Sequence, residues 1–580
     1  MSDIDPILLA VLNGRLVQIA DEMDATLVSL GVQSDHRRGP RRLPRPLPRT
    51  NRRYAGAGYD WLADLCRRDG LRGEGRDRQG QRGRQSGGWR HLSFNDPYDG
   101  GTHLNDFRLV RPLFWNGKLF AWLASVGHWL DVGGNVPGNF NAKATESFQE
   151  GFRVPPVKLA RAGVIQQDII DILAANSRVP KSNWGDLNGQ LNALDLGERR
   201  VQALLEDYGE EPVASALDLL TARAEKLMRA NIANLPDGTY SYDDFLDNDG
   251  ITDVPLSIAL DLVISGDTMR LDFSRSSPPC DGPLNIALST TVACCYVALQ
   301  AHLHRRAGQC RLPGADRIRD SRTPRCSPSR RRGRSAATPR RSCASSTRCS
   351  ARLPKSPRNA PTASPFATIN ALSLSGWREH GRRWVMFCFF GGGLGGNPET
   401  DGLNHGNNPI STATIPPAEI LESLYPVMFT QWALRPDSGG PGFSRGGLGA
   451  IYEIEALADG ATDVSLLGER GKFPPFGVNG GRSAALNRFV YQTDSGERTP
   501  PLVSKVTDIR IVAGQHVRLE TPGGGGFGDP MTRDPVRVGR DVNLGYVTKA
   551  AARNEYGVVI GENGAVDTAA TAALRSGAGQ

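Results

Sequence analysis

The sequence of 580 residues lacks any apolar run long enough to cross a membrane, because no stretch approaches about 18 uncharged apolar residues. Its start, MSDIDPILLAVLNGRL, is acidic and reads as an amphipathic helix without a secretory signal pattern. We therefore expect a cytoplasmic protein that does not act at a membrane. Its glycine-rich turns lack both the GK[ST] of a phosphate loop and the βαβ context of a dinucleotide fingerprint, so we expect no nucleotide site of its own.

Lysine is almost missing from two stretches that are dense in arginine. Residues 31–90 hold 16 Arg, no Lys and 6 acids, and residues 305–360 hold 16 Arg, 1 Lys and 2 acids. They contribute +10 and +15 to a net charge of only +8, so the rest of the chain is acidic and sums to −17. Neither stretch has helical or strand periodicity, and five of the nine cysteines fall in them without CxxC spacing.

Three explanations compete for these inserts: binding of nucleic acid or an anionic membrane, a disordered linker, and translation out of frame. Nucleic-acid-binding tracts normally mix lysine with arginine, so nucleic acid is not the expected partner. GC-rich DNA read out of frame yields Arg, Pro, Gly, Ser and Cys, and ordinary sequence resumes abruptly at Leu92 and near Pro365. We therefore hypothesise that both inserts are frame-shifted. An inactive product and a nucleic-acid-binding protein are the distant alternative functions.

Two His-x-x-Asp pairs stand out between the inserts, in the stretch FNDPYDGGTHLNDFRLVRPLFWNGKLFAWLASVGHWLDVGGNVPG. The first pair is His103 and Asp106, and the second is His128 and Asp131. The Asn-Gly at 116–117, between apolar runs, predicts a β-hairpin that returns the second pair alongside the first. Two imidazoles with one or two carboxylates suit a divalent zinc, iron or manganese ion. Turn chemistry alone would equally explain the flanking glycines.

Periodicity elsewhere predicts a multi-domain α+β protein with a mixed α/β metal-site region, a central helical block and a β-rich C-terminal domain with glycine turns. Cys294 and Cys295 lie in an apolar segment and read as small core residues. The segment from Asn554 is rich in Gly and Ala and reads as frayed. The predicted units are an N-terminal helix (1–30), the first insert (31–91), the metal-motif hairpin with the helical block (92–235), a β-hairpin with a buried helix (236–304), the second insert (305–364), the β-rich domain (365–545) and a flexible tail (546–580).

With these landmarks the chain resembles the hydantoinase B/oxoprolinase family. The resemblance covers roughly four-fifths of the chain, in family order, and leaves out the two inserts and the tail. The matching stretches are DPILLAVLNGRL, FNDPYDGGTHLNDF, HWLDVGGNVPG, QEGFRVPPVKL, GERRV, LDFSRSSP with GPLN, ALRPDSGGPGFSRGGLG, KFPPFGVNGG and ETPGGGGFGDP.

The resemblance implies one subunit of an ATP-dependent enzyme that opens cyclic amides, as N-methylhydantoinase and 5-oxoprolinase do. ATP would be handled by a partner of the hydantoinase A type, which would phosphorylate the amide or enolate oxygen of the substrate. The alternative is a subunit of a ketone carboxylase of the acetone or acetophenone type. That branch holds manganese in the motif corresponding to His103, Asp106 and His128, but its further His is Gly101 here, so the identity of the metal stays open.

Five other residues are candidates within this scheme. Asp131 is predicted to orient an imidazole or to be a fourth ligand. His405, in DGLNHGNNP, is predicted as an acid/base, although a single loop histidine is more often structural. Arg435, Asp437 and Arg445 lie among glycines and are predicted to bind a substrate carboxylate, with a surface salt bridge as the equal alternative.

Overall fold

A computed structural model describes residues 4–30, 89–99, 101–161, 163–303, 362–378, 381–407 and 415–577. Nearly all of both arginine-rich inserts lies outside these residues, so their frame-shifted origin stays a prediction. The described chain re-enters in strand β1 (Trp89–Phe94), a few residues before the predicted resumption at Leu92. At the second insert it re-enters at residue 362, and Ala363 is already buried.

The first helix, α1 (Pro6–Leu30), packs along a later helix, α3 (Pro180–Tyr208). Beside this pair lies a five-stranded sheet in the order β3-β2-β1-β4-β5. Its strands are antiparallel throughout, and both faces of β2 are buried, so the sheet forms the centre of this region. The strand bounds after β1 are β2 (Asp106–Trp115), β3 (Lys118–His128), β4 (Val157–Arg161) and β5 (Val164–Ile165).

The predicted hairpin is present as the β2/β3 pair. Its turn consists of Asn116 and Gly117, whose φ angles of 47° and 76° are those of a type I′ turn. This turn matches the right-handed twist of the flanking strands and therefore fixes their register.

A helical block follows, as predicted, and leads to a three-stranded sheet in the order β6-β7-β8. One face of that sheet packs on the last turns of α4 and on α5, in a core that includes the buried Cys295. Cys294 is buried against Ile369 from the next region, so both cysteines are core residues. The bounds are α2 (Gln167–Ala175), α4 (Glu210–Ala233), β6 (Gly238–Leu246), β7 (Leu256–Ser265), β8 (Thr268–Asp272) and α5 (Leu288–Leu303).

The C-terminal region is rich in β-strands, as predicted, and contains two antiparallel sheets. Their orders are β10-β9-β13-β16 and β11-β12-β17-β14-β15, and one apolar core lies between them. The bounds are β9 (Asn370–Arg378), β10 (Arg382–Phe390), α6 (Ala418–Leu424), β11 (Val427–Leu434), β12 (Ala450–Ala456), β13 (Thr462–Leu467), β14 (Arg488–Thr493), β15 (Gly496–Arg498), β16 (Lys505–Ile511) and β17 (His516–Glu520).

The glycine-rich stretches of this region pack backbone against backbone. The amide of Gly447 donates to Leu394 at 2.8 Å, and the amide of Gly524 donates to Gly447 at 2.9 Å. A Cβ added at Gly393 would overlap the carbonyl oxygen of Gly447. The glycines are therefore required by the close approach of three loops.

The prediction of a frayed C-terminal segment is wrong for the described residues. Asn554 lies in helix α8 (Lys549–Tyr556), which packs with α7 (Pro535–Asn543), and α9 (Thr568–Gly577) follows. Composition failed here because a few large side chains are enough to bury these short helices. The buried cluster comprises Val538, Val547, Ala552, Tyr556 and Val558.

Among the described residues, no helix combines the length and the apolar character needed to span a membrane.

Two glycine substitutions test whether the hairpin turn depends on its left-handed backbone. Gly117→Ala places a Cβ at φ 76° and should lower the free energy of unfolding by about 1 kcal/mol. Gly14→Ala, at an exposed position within α1 where a Cβ meets no atom within 4 Å, should raise it by about 0.5–1 kcal/mol. Calorimetric melting of the two variants should shift the midpoint in opposite directions; shifts of the same sign would contradict this account of the turn.

Candidate metal centre

Three predicted ligands converge at the open end of the β2/β3 hairpin. Asp106, the first residue of β2, lies directly opposite His128, the last residue of β3. His103 is brought beside them by the turn before β2, in which the amide of Asp106 donates to the carbonyl of His103 at 3.1 Å. One nitrogen or oxygen atom from each of the three side chains lies within 4.8 Å of the others.

The carboxylate of Asp106 lies between the two imidazoles. Its Oδ2 is 3.0 Å from Nδ1 of His103, its Oδ1 is 3.2 Å from Nδ1 of His128, and Nε2 of His103 is 2.9 Å from Nδ1 of His128. Burial acts to raise the pKa of Asp106, but the charges and hydrogen bonds of the two histidines outweigh burial and hold that pKa far below its ordinary value. Asp106 is therefore ionised and available as an anionic ligand.

A second layer of polar contacts fixes Asp106. The hydroxyl of Thr102 donates to its Oδ2. Arg108 donates from Nη1 to the backbone carbonyl of Asp106 at 3.0 Å and from Nη2 to Oγ1 of Thr102 at 3.3 Å. Burial lowers the pKa of this guanidinium, and the charge of Asp106 opposes that effect. Such outer contacts orient metal ligands in proteins.

The other side of the centre is a wall of three phenylalanines, Phe140, Phe387 and Phe389. The ring centroid of Phe140 is 5.8 Å from that of His103, and those of Phe387 and Phe389 are 5.8 and 6.0 Å from that of His128. Phe140 and Phe387 are buried, whereas Phe389 is half-buried. The phenylalanines belong to a loop and to strand β10, so two distant parts of the chain complete the centre.

Gly101 lies next to the ligand turn and is held by hydrogen bonds and close backbone contacts. Its carbonyl accepts hydrogen bonds from the hydroxyls of Ser289 and Thr290, at the start of α5, at 3.0 and 3.3 Å. A Cβ at Gly101 would lie 2.6 Å from Cα of Pro97 and 2.7 Å from the carbonyl oxygen of Asp96, distances that backbone atoms do not tolerate. The position at which the resemblance to the carboxylase branch implies a further histidine therefore has no room for a side chain here.

The donor set fits a divalent metal ion. Two imidazoles and one ionised carboxylate are typical ligands of zinc, iron and manganese. Because a buried carboxylate needs compensating charge, a divalent cation held by the three groups would supply that charge to Asp106. Zinc, iron and manganese all accept this donor set.

Asp131 does not join the centre. Its carboxylate accepts hydrogen bonds from the amides of Gly133, Gly138 and Arg178 and from the Arg178 guanidinium at 2.8 Å. This ion pair, in which Asp131 is fully buried, holds the loop that follows β3. The predictions that Asp131 is a fourth ligand or orients an imidazole do not agree with these contacts.

His405 lies on the opposite side of β10 from the metal centre. Residues alternate along a strand, so Phe389 faces His128 while Phe390 faces Tyr452, whose ring centroid is 4.4 Å away. The imidazole of His405 packs on that Tyr452, and its Nε2 contacts the phenol and accepts from Nε1 of Trp432 at 3.2 Å. Burial lowers the pKa of His405. These contacts fit the structural alternative better than an acid/base role.

The three predicted substrate-binding residues are committed to internal contacts. Arg435 donates to the carbonyls of Leu486 and Glu520, at 2.7 and 3.2 Å. Asp437 accepts from the amide of Thr548 at 2.8 Å. These contacts of Arg435 and Asp437 hold the glycine loops, and they do not support the binding of a substrate carboxylate.

Arg445 is equally committed. It is buried, donates to the carbonyl of Gly446 at 2.6 Å and lies 3.5 Å from Asp541. These contacts fit neither the predicted substrate role nor a salt bridge at the surface, because the charged partner of Arg445 is buried in the C-terminal helices.

Several residues of the centre were missed by sequence reasoning. The alternation in WVMFCFF places Phe387 and Phe389 on one face of β10, but only the fold reveals that this face meets the hairpin. Ser289 and Thr290 carry no comparable signal, because their contact with Gly101 spans almost 190 positions of sequence.

Known proteins resemble this chain over most of its length. The sequence model for hydantoinase B/oxoprolinase matches residues 91–530. The chain belongs to this family. The beta subunit of caprolactamase from Pseudomonas jessenii is 31% identical over 496 residues, covering 83% of this chain and 84% of that subunit. The B component of a putative D-/L-hydantoinase from Pseudomonas sp. (strain NS671) is 29% identical over 497 residues, covering 83% of both chains.

Two solved structures have the same fold as this chain. The crystal structure of ATP-dependent caprolactamase from Pseudomonas jessenii superposes with a TM-score of 0.80 at 26% identity, covering 99% of this chain and 100% of that one. A nucleotide-free acetone carboxylase structure also superposes with a TM-score of 0.80, covering 99% of this chain and 83% of that one. Because its sequence is only 19% identical, this similarity supports the fold alone. The predicted family and the mixed α and β, multi-domain fold are thereby confirmed.

Loss of the Asp106 charge should remove the metal ion. Asp106→Asn keeps the side-chain shape but loses the anionic ligand, so affinity for zinc or manganese should fall at least about tenfold. Metal content after dialysis, measured by plasma mass spectrometry, reports the loss. His516→Gln, on β17 in the second C-terminal sheet, is the matched control and should keep its metal. Equal metal content in the Asp106 variant and the wild type would exclude this centre.

Gly101→Ala should destabilise the ligand turn, because the new Cβ can be accommodated only if backbone atoms move. We expect the free energy of unfolding to fall by about 1–3 kcal/mol, which is the range for other overpacked sites. Gly460→Ala, at an exposed position where a Cβ meets no atom within 4 Å, is the control and should have the same melting temperature as the wild type. A Gly101→Ala variant with unchanged melting would show that the turn has room for a side chain.

Proposed function

We propose that this chain is the subunit of an ATP-dependent cyclic-amide hydrolase, of the hydantoinase or 5-oxoprolinase type, that completes the hydrolysis of an activated substrate. The observation that carries the proposal is the cluster of His103, Asp106 and His128 within a chain of this family. The names caprolactamase and hydantoinase denote enzymes that act on cyclic amides. Subunits of both are similar to this chain over more than four-fifths of its length. The proposed partner is an ATP-binding subunit of the hydantoinase A type.

The chemistry divides between the two subunits. The partner transfers the γ-phosphoryl group of ATP to the amide oxygen, which releases ADP and makes the carbon electrophilic. Water then adds to that carbon, the ring C–N bond breaks and the nitrogen takes a proton. A second water converts the resulting acyl phosphate to a carboxylate and inorganic phosphate.

The residues of this chain hold the reacting groups. His103, Asp106 and His128 would bind a divalent ion, which when bound polarises a carbonyl or lowers the pKa of water. Thr102 and Arg108 keep Asp106 in place through the contacts described above. The phenylalanine wall excludes water from one side, which strengthens the electrostatic interactions within the centre.

The assay combines this chain with a hydantoinase A-type subunit and measures ADP, phosphate and free amine from caprolactam, hydantoin and 5-oxoproline. We expect ATP-dependent ring opening that does not require bicarbonate. Asp106→Asn should abolish release of the amine, and His516→Gln should leave it unchanged.

A ketone carboxylase is the competing outcome of this assay. It predicts ADP formation that depends on both bicarbonate and a ketone such as acetone, with no turnover of cyclic amides. That result would overturn the proposed function while leaving the family assignment intact.

A further inference from the structure

We infer that the metal centre is built for a neutral, apolar cyclic amide, and that Phe389 is a residue that determines this specificity. The inference rests on the proposed function and narrows its substrate class. A ring of methylene groups, as in caprolactam, fits the centre, whereas a ring that carries a carboxylate, as in 5-oxoproline, does not.

Phe389 is the member of the phenylalanine wall that remains partly accessible. Its ring centroid is 6.0 Å from that of His128, and the His128 side chain is itself 20% exposed. A substrate that reaches the ligand residues therefore meets the face or edge of Phe389. Apolar substrate surface buried against such a ring is removed from water, which stabilises the complex.

The position of Phe389 is held by its neighbours. Its ring lies edge-on to Phe387 and Phe140, with centroids 4.8 and 6.1 Å away, and packs near Cys294 and Val297 of α5. Edge-to-face pairs of this kind restrict ring movement. A rigid apolar surface next to the reacting carbon favours substrates of complementary shape.

Arg108, a cation beside the ligands, is committed to contacts that hold Asp106 and the ligand turn. Arg108 is buried and donates to Asp106 and Thr102. Arg435 and Arg445, the two arginines expected to bind a carboxylate, donate to backbone carbonyls of the glycine-loop region. A carboxylate placed against the wall would lose its water and gain only carbon contacts there, which is costly.

The test is the ratio of kcat/KM for caprolactam to kcat/KM for 5-oxoproline, measured with the two-subunit enzyme. We expect a ratio of at least about 100 for the wild type, because each mismatched group in an apolar site costs one to two orders of magnitude. Phe389→Gln, which keeps the size but adds an amide, should lower that ratio about tenfold, mainly through a higher KM for caprolactam. Phe389→Leu should keep the ratio within about threefold.

The ratio does not depend on the fraction of enzyme that is folded, so a destabilised variant still reports specificity. Phe443→Gln, at an exposed phenylalanine in the glycine-rich region, is the matched control and should leave the ratio unchanged. Faster opening of 5-oxoproline than of caprolactam, or a Phe389→Gln ratio equal to that of the wild type, would overturn the inference while the hydrolase assignment stands. If the enzyme opens none of the cyclic amides in the presence of ATP, the proposed function itself is overturned.

Discussion

The register of the β2/β3 hairpin is the constraint on which the candidate metal centre depends. Side chains alternate along a strand, so a slip of one residue would move Asp106 or His128 to the opposite face. The two-residue turn at 116–117 prevents the slip, because its left-handed backbone fits only one pairing of the strands. Nine residue pairs lie between the turn and the Asp106–His128 pair, with one register shift between Leu113 and Phe114, and they carry that constraint to the open end of the hairpin.

The C-terminal sheets use the same alternation to separate two environments. Along β10, Phe387 and Phe389 face the imidazoles, and Phe390 faces the core between the sheets, where it meets Tyr452. This arrangement places His405 in a packed aromatic cluster away from the metal centre. It also makes the proposed catalytic surface of one region depend on a strand from another, so assembly of the centre requires both to be folded.

The structural features that could be predicted from the sequence are those that depend on neighbouring residues. The hairpin, the helical block and the β-rich C-terminal region follow from periodicity and turn residues. His103, Asp106 and His128 lie together as the hairpin predicts, whereas Asp131 pairs with Arg178. The contacts of Arg435 and Arg445 could not be predicted, since their partners lie in segments brought together only by the glycine loops. The ordered C-terminal helices were missed because composition does not reveal that a small apolar cluster around Tyr556 is buried.

The number of protein ligands decides what a metal ion here can do. Structural zinc sites are closed by four side chains, whereas catalytic sites keep a position open for water or substrate. Asp131 is held by Arg178, and Gly101 has no space for a fourth side chain. The described residues thus supply three candidate ligands, with the half-buried Phe389 beside them. A metal ion held by three side chains would keep a position open for water or substrate, as the proposed hydrolysis requires, whereas a closed site would not.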